Sequence, residues 1–311
     1  MNNFKKIGLT ALAGSLAATS AFAADWSMSG GASIGVSNIT GSNDQAYGKD
    51  WSMGNEFTVT GSGELDNGMT VTLAFQLDQG AAATTSSPFD NHSITVASDT
   101  LGTLVFSGHG GSSAQGALDT TAAGDIWNQT LNITGPTAAA SGNDSLYYTL
   151  PSIVDGLAIN LSVSPGRASQ ETHSSYAATY SGIDGLSVSY GKGDSGAPGA
   201  VTESTTMKAS YAWGPVTVAA SNTEVDNKST ADVDLDSWKL AYTVTDDISI
   251  HYGSETFDTT GQSVDQEVEN IGVSYTTGGV TISANTYEAK GAGNSASAKT
   301  DKWALSASFA F

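Results

Sequence analysis

Residues 51–78 read WSMGNEFTVTGSGELDNGMTVTLAFQLD, and this stretch decides the fold. In its first half Trp51, Met53, Phe57, Val59 and Leu65 occupy odd positions, with Ser52, Glu56, Thr58 and Thr60 between them. In its second half Met69, Val71, Leu73, Phe75 and Leu77 alternate with Thr70, Thr72, Ala74, Gln76 and Asp78. A side-chain period of two separates two faces only in a strand. Asp66-Asn67-Gly68 between the runs is a strong hairpin signal, because the turn that matches strand twist needs positive φ. One face of the predicted hairpin is apolar and aromatic, and the other is small and hydroxylated.

The same cycle extends in both directions. Upstream, Trp26, Met28, Ala32, Ile34 and Val36 alternate with Ser27, Ser29, Ser33 and Ser37. Downstream, apolar positions recur around Ile94 and Val96, Leu104 and Phe106, Leu146 to Leu150, and Leu157 to Val163. They continue through Tyr176 to Tyr190, Met207 to Val218, Trp238 to Tyr252, Ile271 to Ile282, and Trp303 to Phe311. The count is about sixteen strands, an even number of the kind that closed bacterial barrels use.

Connections alternate in length. Those at 66–68, 99–102, 151–156, 181–185, 213–215, 245–247 and 276–279 read as short. Those near 39–50, 79–90, 109–143, 165–174, 193–204, 225–233, 258–265 and 290–298 read as long. Short turns on one rim and long loops on the other are the asymmetry of an outer-membrane barrel. Both termini fall on the short-turn rim. The segment from His109 to Asn143 is far longer than an ordinary connection, and such loops are functional or disordered; it is expected to fold inward as a constriction.

Composition supports this reading. Lys5 and Lys6, a weakly apolar run and Ala21-Phe22-Ala23 have the form of an exported leader, so residues 1–23 are expected to be a signal peptide and 24–311 the barrel. Removing those two of the 11 basic residues leaves 9 against 31 acidic ones, and 9 − 31 gives a formal charge of −22. Such a field repels nucleic acid and attracts cations. Charged residues are only 14% of the chain, against about 25% in soluble domains. There is no cysteine, hence no disulfide framework. No apolar run after residue 23 is long enough for a membrane helix, an absence compatible with a membrane barrel, whose strands are about ten residues of alternating character.

A soluble β-sandwich, such as an exported adhesin, would also alternate. Its polar face would carry Lys, Glu and Arg, whereas here Ser, Thr, Gly and Asn dominate. Aromatics also fall at strand ends, at Trp26, Trp51, Tyr180, Tyr190, Trp213, Trp238, Tyr275 and Trp303, as in membrane-interface girdles.

Several segments together resemble the general porins of Gram-negative outer membranes, of alphaproteobacterial type. They are ADWSMSGGASIGV, GSGELDNGMTVTLAFQL, TVASDTLGTLVFSG ahead of the long loop, SLYYTLPSIVDGLAINLSV, and the terminal WALSASFAF. The resemblance covers the whole chain after the leader. It implies a non-enzymatic homotrimer of sixteen-stranded barrels in the outer membrane, in contact with lipid and lipopolysaccharide, passing small hydrophilic solutes. A substrate-selective channel is the alternative within transport. The resemblance also implies a third loop folded inward as an eyelet, and an assembly-machinery signal that includes Phe311.

The family's basic wall opposite the eyelet is missing. Lumen-facing positions of the second and third strands are Ser52, Glu56, Thr58, Thr60, Thr70, Thr72, Gln76 and Asp78. With Asp119 and Asp125 on the loop, Glu56 and Asp78 make an acidic constriction that would favour cations. Candidate lumen bases lie later, at Lys208, Lys239 and Lys302, with His251 nearby. His92 shares parity with Ile94 and Val96 and should face outward. No cofactor is expected, although Asp226, Asp232, Asp234 and Asp236 offer oxygen ligands of the kind Ca²⁺ takes. No catalytic constellation is evident.

Overall fold

The computed structural model describes residues 25–41, 49–78, 90–166 and 171–311. The expected leader lies outside the described residues. The strands are β1 Asp25–Gly41, β2 Asp50–Glu64, β3 Thr70–Asp78, β4 Asn91–Ser98, β5 Gly102–His109, β6 Ser145–Thr149, β7 Leu157–Ser164 and β8 His173–Ile183. They continue as β9 Leu186–Ala197, β10 Ala200–Trp213, β11 Val216–Asn227, β12 Val233–Thr245, β13 Ile248–Thr259, β14 Gln266–Thr277, β15 Val280–Lys290 and β16 Lys299–Ala310. All sixteen pair antiparallel with their neighbours in chain order, and β1 pairs with β16 to close the barrel. A closed barrel leaves no unpaired edge, which a strand structure in hydrocarbon requires. The sandwich alternative is thereby excluded.

The deciding hairpin forms as its alternation dictates. Trp51 pairs with Val36 on β1, Phe57 with Leu77 and Val59 with Phe75, so apolar residues meet on one face across each ladder. Gly68 adopts φ 80° in the turn and its N–H donates to the Leu65 carbonyl at 2.9 Å. The closing strand ends on the same wall: Phe311 and Gly30 exchange both backbone hydrogen bonds, at 2.9 and 3.1 Å.

The barrel inverts the usual order of burial. Trp51, Met28, Trp213 and Phe311 are 68%, 70%, 74% and 77% exposed on the outer face, which is the face that meets lipid. The buried residues are largely Ser, Thr, Gln and Ala on the inside. Hydrocarbon supplies the apolar surroundings outside, while backbone groups are satisfied within the ladder.

One connection departs from the sequence reading. The stretch 193–204, expected as a long loop, is a two-residue turn at Pro198-Gly199, with β9 and β10 paired from Ala197↔Ala200 to Leu186↔Tyr211. Polar residues such as Asp194, Ser195, Thr202 and Glu203 stand on both faces here, so the ladder continues without the apolar–polar alternation. Gly199, at φ 84°, takes the left-handed position that the turn needs. The long third loop is as expected: β5 ends at His109 and β6 begins at Ser145.

Candidate functional site: the loop-narrowed lumen

Between β5 and β6 the chain turns into the barrel and lies along the inner wall. Its stem is closed by paired backbone bonds between Gly111 and Gly142, at 3.1 and 2.9 Å. Beyond the stem, loop N–H groups are received by a succession of wall hydroxyls. Ala114 donates to Ser162 Oγ on β7 at 2.9 Å, and Gln115 to Ser175 Oγ on β8 at 3.0 Å. Ala122 donates to Ser221 Oγ on β11 at 2.8 Å, and Ala123 to Ser237 Oγ on β12 at 2.9 Å. The Gln115 side chain, fully buried, donates to Thr206 Oγ1 on β10 at 2.8 Å and accepts from Ala139 N–H at 2.7 Å. Buried backbone groups without partners are costly, so this small-residue loop is held where the wall offers acceptors.

Small wall residues make the close approach possible. A Cβ on Gly191 would lie 3.0 Å from Leu118 Cδ1 and 3.1 Å from Gln115 Cα. On Gly253 it would lie 3.0 Å from Ala123 Cβ.

The second half of the loop is fixed more firmly. Glu255 on β13 is fully buried, and its carboxylate accepts the Thr121 hydroxyl, Ile126 N–H at 3.2 Å and Trp127 N–H at 2.8 Å. Beside it Ala123, Ile126 and Leu131 form an apolar cluster with Val268 of β14 and Ala289 of β15, against which Trp127, Ile133 and Tyr287 pack. Trp127 also meets Phe257 edge to face at 6.5 Å. Asp125 and Asn132 hold left-handed backbone, which Asp and Asn tolerate, and so does the β-branched Thr130, at φ 63°. Asp125 and Thr121 also bond each other's N–H groups, each at 2.8 Å.

Of the candidate site residues, Asp119, Asp125 and Lys208 come together. Burial, and then the charge of Asp125, push Asp119 up to about 6, while Lys208 acts against them. The Lys208 ammonium donates to the Thr120 carbonyl of the loop. Lys302 likewise donates to the Gln129 carbonyl at 2.9 Å and sits 5.9 Å from the Tyr287 ring. Two lumen bases are therefore held against the loop backbone. Lys239 stays on the lumen face of β12, next to His251 on β13.

Glu56 and Asp78 form a separate pair, directly opposite each other across β2 and β3. Gln76 Nε2 donates to Glu56 Oε2 at 3.0 Å, and Asn91 Nδ2 donates to Gln76 Oε1 at 2.5 Å. In a ring of sixteen, β2 stands eight strands from β10, so this pair faces the wall that carries Lys208 and the loop. A cavity of about 430 Å³ lies against it, bordered by Gly31, Ser33, Glu56, Asp78, Thr281 and Ser308.

The aspartates considered for calcium are elsewhere. Asp234 and Asp236 share parity with exposed Trp238 on the outer face, and both accept from Asn222 Nδ2, at 2.6 and 3.0 Å. Asp232 instead accepts Asn227 N–H at 2.8 Å. Among the described residues no group of three or more His, Cys, Asp or Glu side chains is placed to hold a metal. His92, at the start of β4, stacks on His109, at the end of β5, at 6.4 Å. Glu255 and the hydroxyl succession were not anticipated. Glu255 has the lumen parity of His251, Gly253 and Phe257, but one carboxylate among hydroxyls does not announce its partners.

A closed barrel with an apolar exterior, a polar interior and a loop drawn across its lumen defines a membrane channel. The profile of the Gram-negative porin family matches residues 8–311, and the chain belongs to that family. It is thus an outer-membrane porin. Among solved structures it is similar to the anion-selective porin from Comamonas acidovorans, at 12% identity and TM-score 0.69, over 93% of this chain and all of the other. OmpT of Vibrio cholerae, folded in vitro and in trimer form, is similar at 13% identity and TM-score 0.70, over 93% and 100%. A mutant of Rh. blastica porin is similar at 18% identity and TM-score 0.66, over 92% and 100%. No curated protein matches the chain in sequence. At these identities the likeness is one of fold, so ion preference must be argued from this chain's own lumen.

Proposed function

We propose that this porin passes small hydrophilic solutes by diffusion and prefers cations. The carrying observation is the pairing of Glu56 with Asp78 on the wall that the loop leaves open. Asp119 and Asp125 add carboxylates on the loop itself. Lys208 and Lys302 reach loop carbonyls, so their charges are drawn back toward the loop backbone. Fixed acidic groups lining a narrow passage lower the energy of a cation there and raise that of an anion. The test is swelling of proteoliposomes in iso-osmotic solutes. Neutral small sugars should enter, and a cationic amino acid should enter faster than an anionic one of similar size. No swelling with any solute would overturn the diffusion reading, and faster anion entry would overturn the preference.

Three further parts of the reading belong with it. Residues 1–23 serve as the export signal, and Phe311, exposed beside Gly30, forms part of the assembly signal. The protein is a homotrimer, and the solved trimer form of a similar barrel supports this assembly. A heat-sensitive band well above the monomer on electrophoresis is the expected result; a monomer band in unheated samples would refute the trimer.

A further inference from the structure

We propose that Glu255 is the positioning residue of the constriction, the group that fixes how far the loop stands from the wall and therefore how wide the pore is. Ser162, Ser175, Thr206, Ser221 and Ser237 each take one donor from the loop, and Lys208 and Lys302 donate to it. Glu255 takes three, from Thr121, Ile126 and Trp127, and so gathers both ends of a tight turn onto one carboxylate. It is wholly buried, and the ion pairs of the described residues do not include it. A buried carboxylate without a cation is tolerated only where donors replace its water. Here the donors come from the loop, so carboxylate and loop are each satisfied only when together.

Neighbouring contacts point the same way. Ser237, which receives Ala123 N–H, lies directly across the ladder from Glu255. Phe257, two residues on, is the surface against which Trp127 packs. Asp119 and Lys208 are connected to this turn through Thr120 and Thr121, so the loop's charged residues take their places from it.

The inference requires that the loop lines the conducting path, but it does not depend on which ion the pore prefers. The test is single-channel recording of the detergent-extracted protein in planar bilayers, with Glu255→Ala and Glu255→Gln beside the parent. Glu255→Ala should give a conductance higher by on the order of twofold, with several-fold greater open-channel noise, because pore dimensions set the current. Glu255→Gln keeps one acceptor oxygen and should fall between. The chain has no cysteine, which permits a clean tether. A Cβ at Gly253 would be 3.0 Å from Ala123 Cβ, near the roughly 3.8 Å of a disulfide.

Adding Ala123→Cys and Gly253→Cys to either Glu255 variant should restore parental conductance and noise when oxidised and lose them again on reduction. Should Glu255→Ala not fold, the tethered Glu255→Gln channel makes the same comparison. Parental noise and conductance in the untethered variants, or no recovery on oxidation, would overturn the proposal. A parent protein that itself fails to conduct would instead refute the porin reading.

Discussion

Two walls of one lumen, made of the same alternating strands, have opposite characters. Along β7–β15 the inner face is covered: Ser162, Ser175, Thr206, Ser221, Ser237 and Glu255 are buried beneath the loop and bonded to it. Along β1–β3 the inner face is open, with Ser33, Glu56 and Asp78 bordering the cavity. A polar residue on the first wall is structural, because it replaces water for a loop amide. On the second, in the function proposed above, it meets the solute. The same hydroxyl or carboxylate therefore means different things eight strands apart, and the loop's position divides them.

The largest effect on ion preference should come from the open wall. A carboxylate roughly 6 Å from a passing ion, at an effective dielectric of about 50, contributes on the order of 1 kcal/mol, or about a sixfold bias. Glu56→Gln with Asp78→Asn should thus lower the cation-to-anion permeability ratio several-fold, while conductance in concentrated salt changes little.

Next is Asp119. Its carboxyl, raised to about 6, is mostly neutral at pH 5 and charged at pH 7.5. Cation preference should therefore rise with pH across that interval, and Asp119→Asn should flatten most of the rise. Lys239→Met should increase cation preference modestly, since this base is on the lumen face. The smallest change is expected from Ser221→Ala or Ser237→Ala. Each leaves one loop N–H without its partner, a cost of roughly 1 kcal/mol, so open-channel noise should rise slightly while heat resistance of the barrel stays as it was.

Much of the fold was legible in the sequence because lipid and lumen impose a strict alternation. From Trp51 to Asp78 and from Trp303 to Phe311 there is no other way to sort the side chains. Legibility failed where that constraint ends, as at Pro198-Gly199: β9 and β10 continue with polar residues on both faces, which imitate a loop. The third loop was visible from its length, but not the wall it occupies. Ser221 and Ser237 look like any lumen serine until the amides of Ala122 and Ala123 are set against them. Glu56 and Asp78 were recoverable because parity and a secure hairpin place them together. Glu255 was not, because its partners lie more than a hundred residues away in the chain.

Whether the open wall governs what passes is read from the reversal potential of the parent channel in a potassium chloride gradient. At pH 7.5 the potential should have the sign set by cation flow, and it should move toward zero in the Glu56→Gln, Asp78→Asn channel. A potential of the opposite sign, or one that the paired substitution leaves untouched, would contradict control by the open wall.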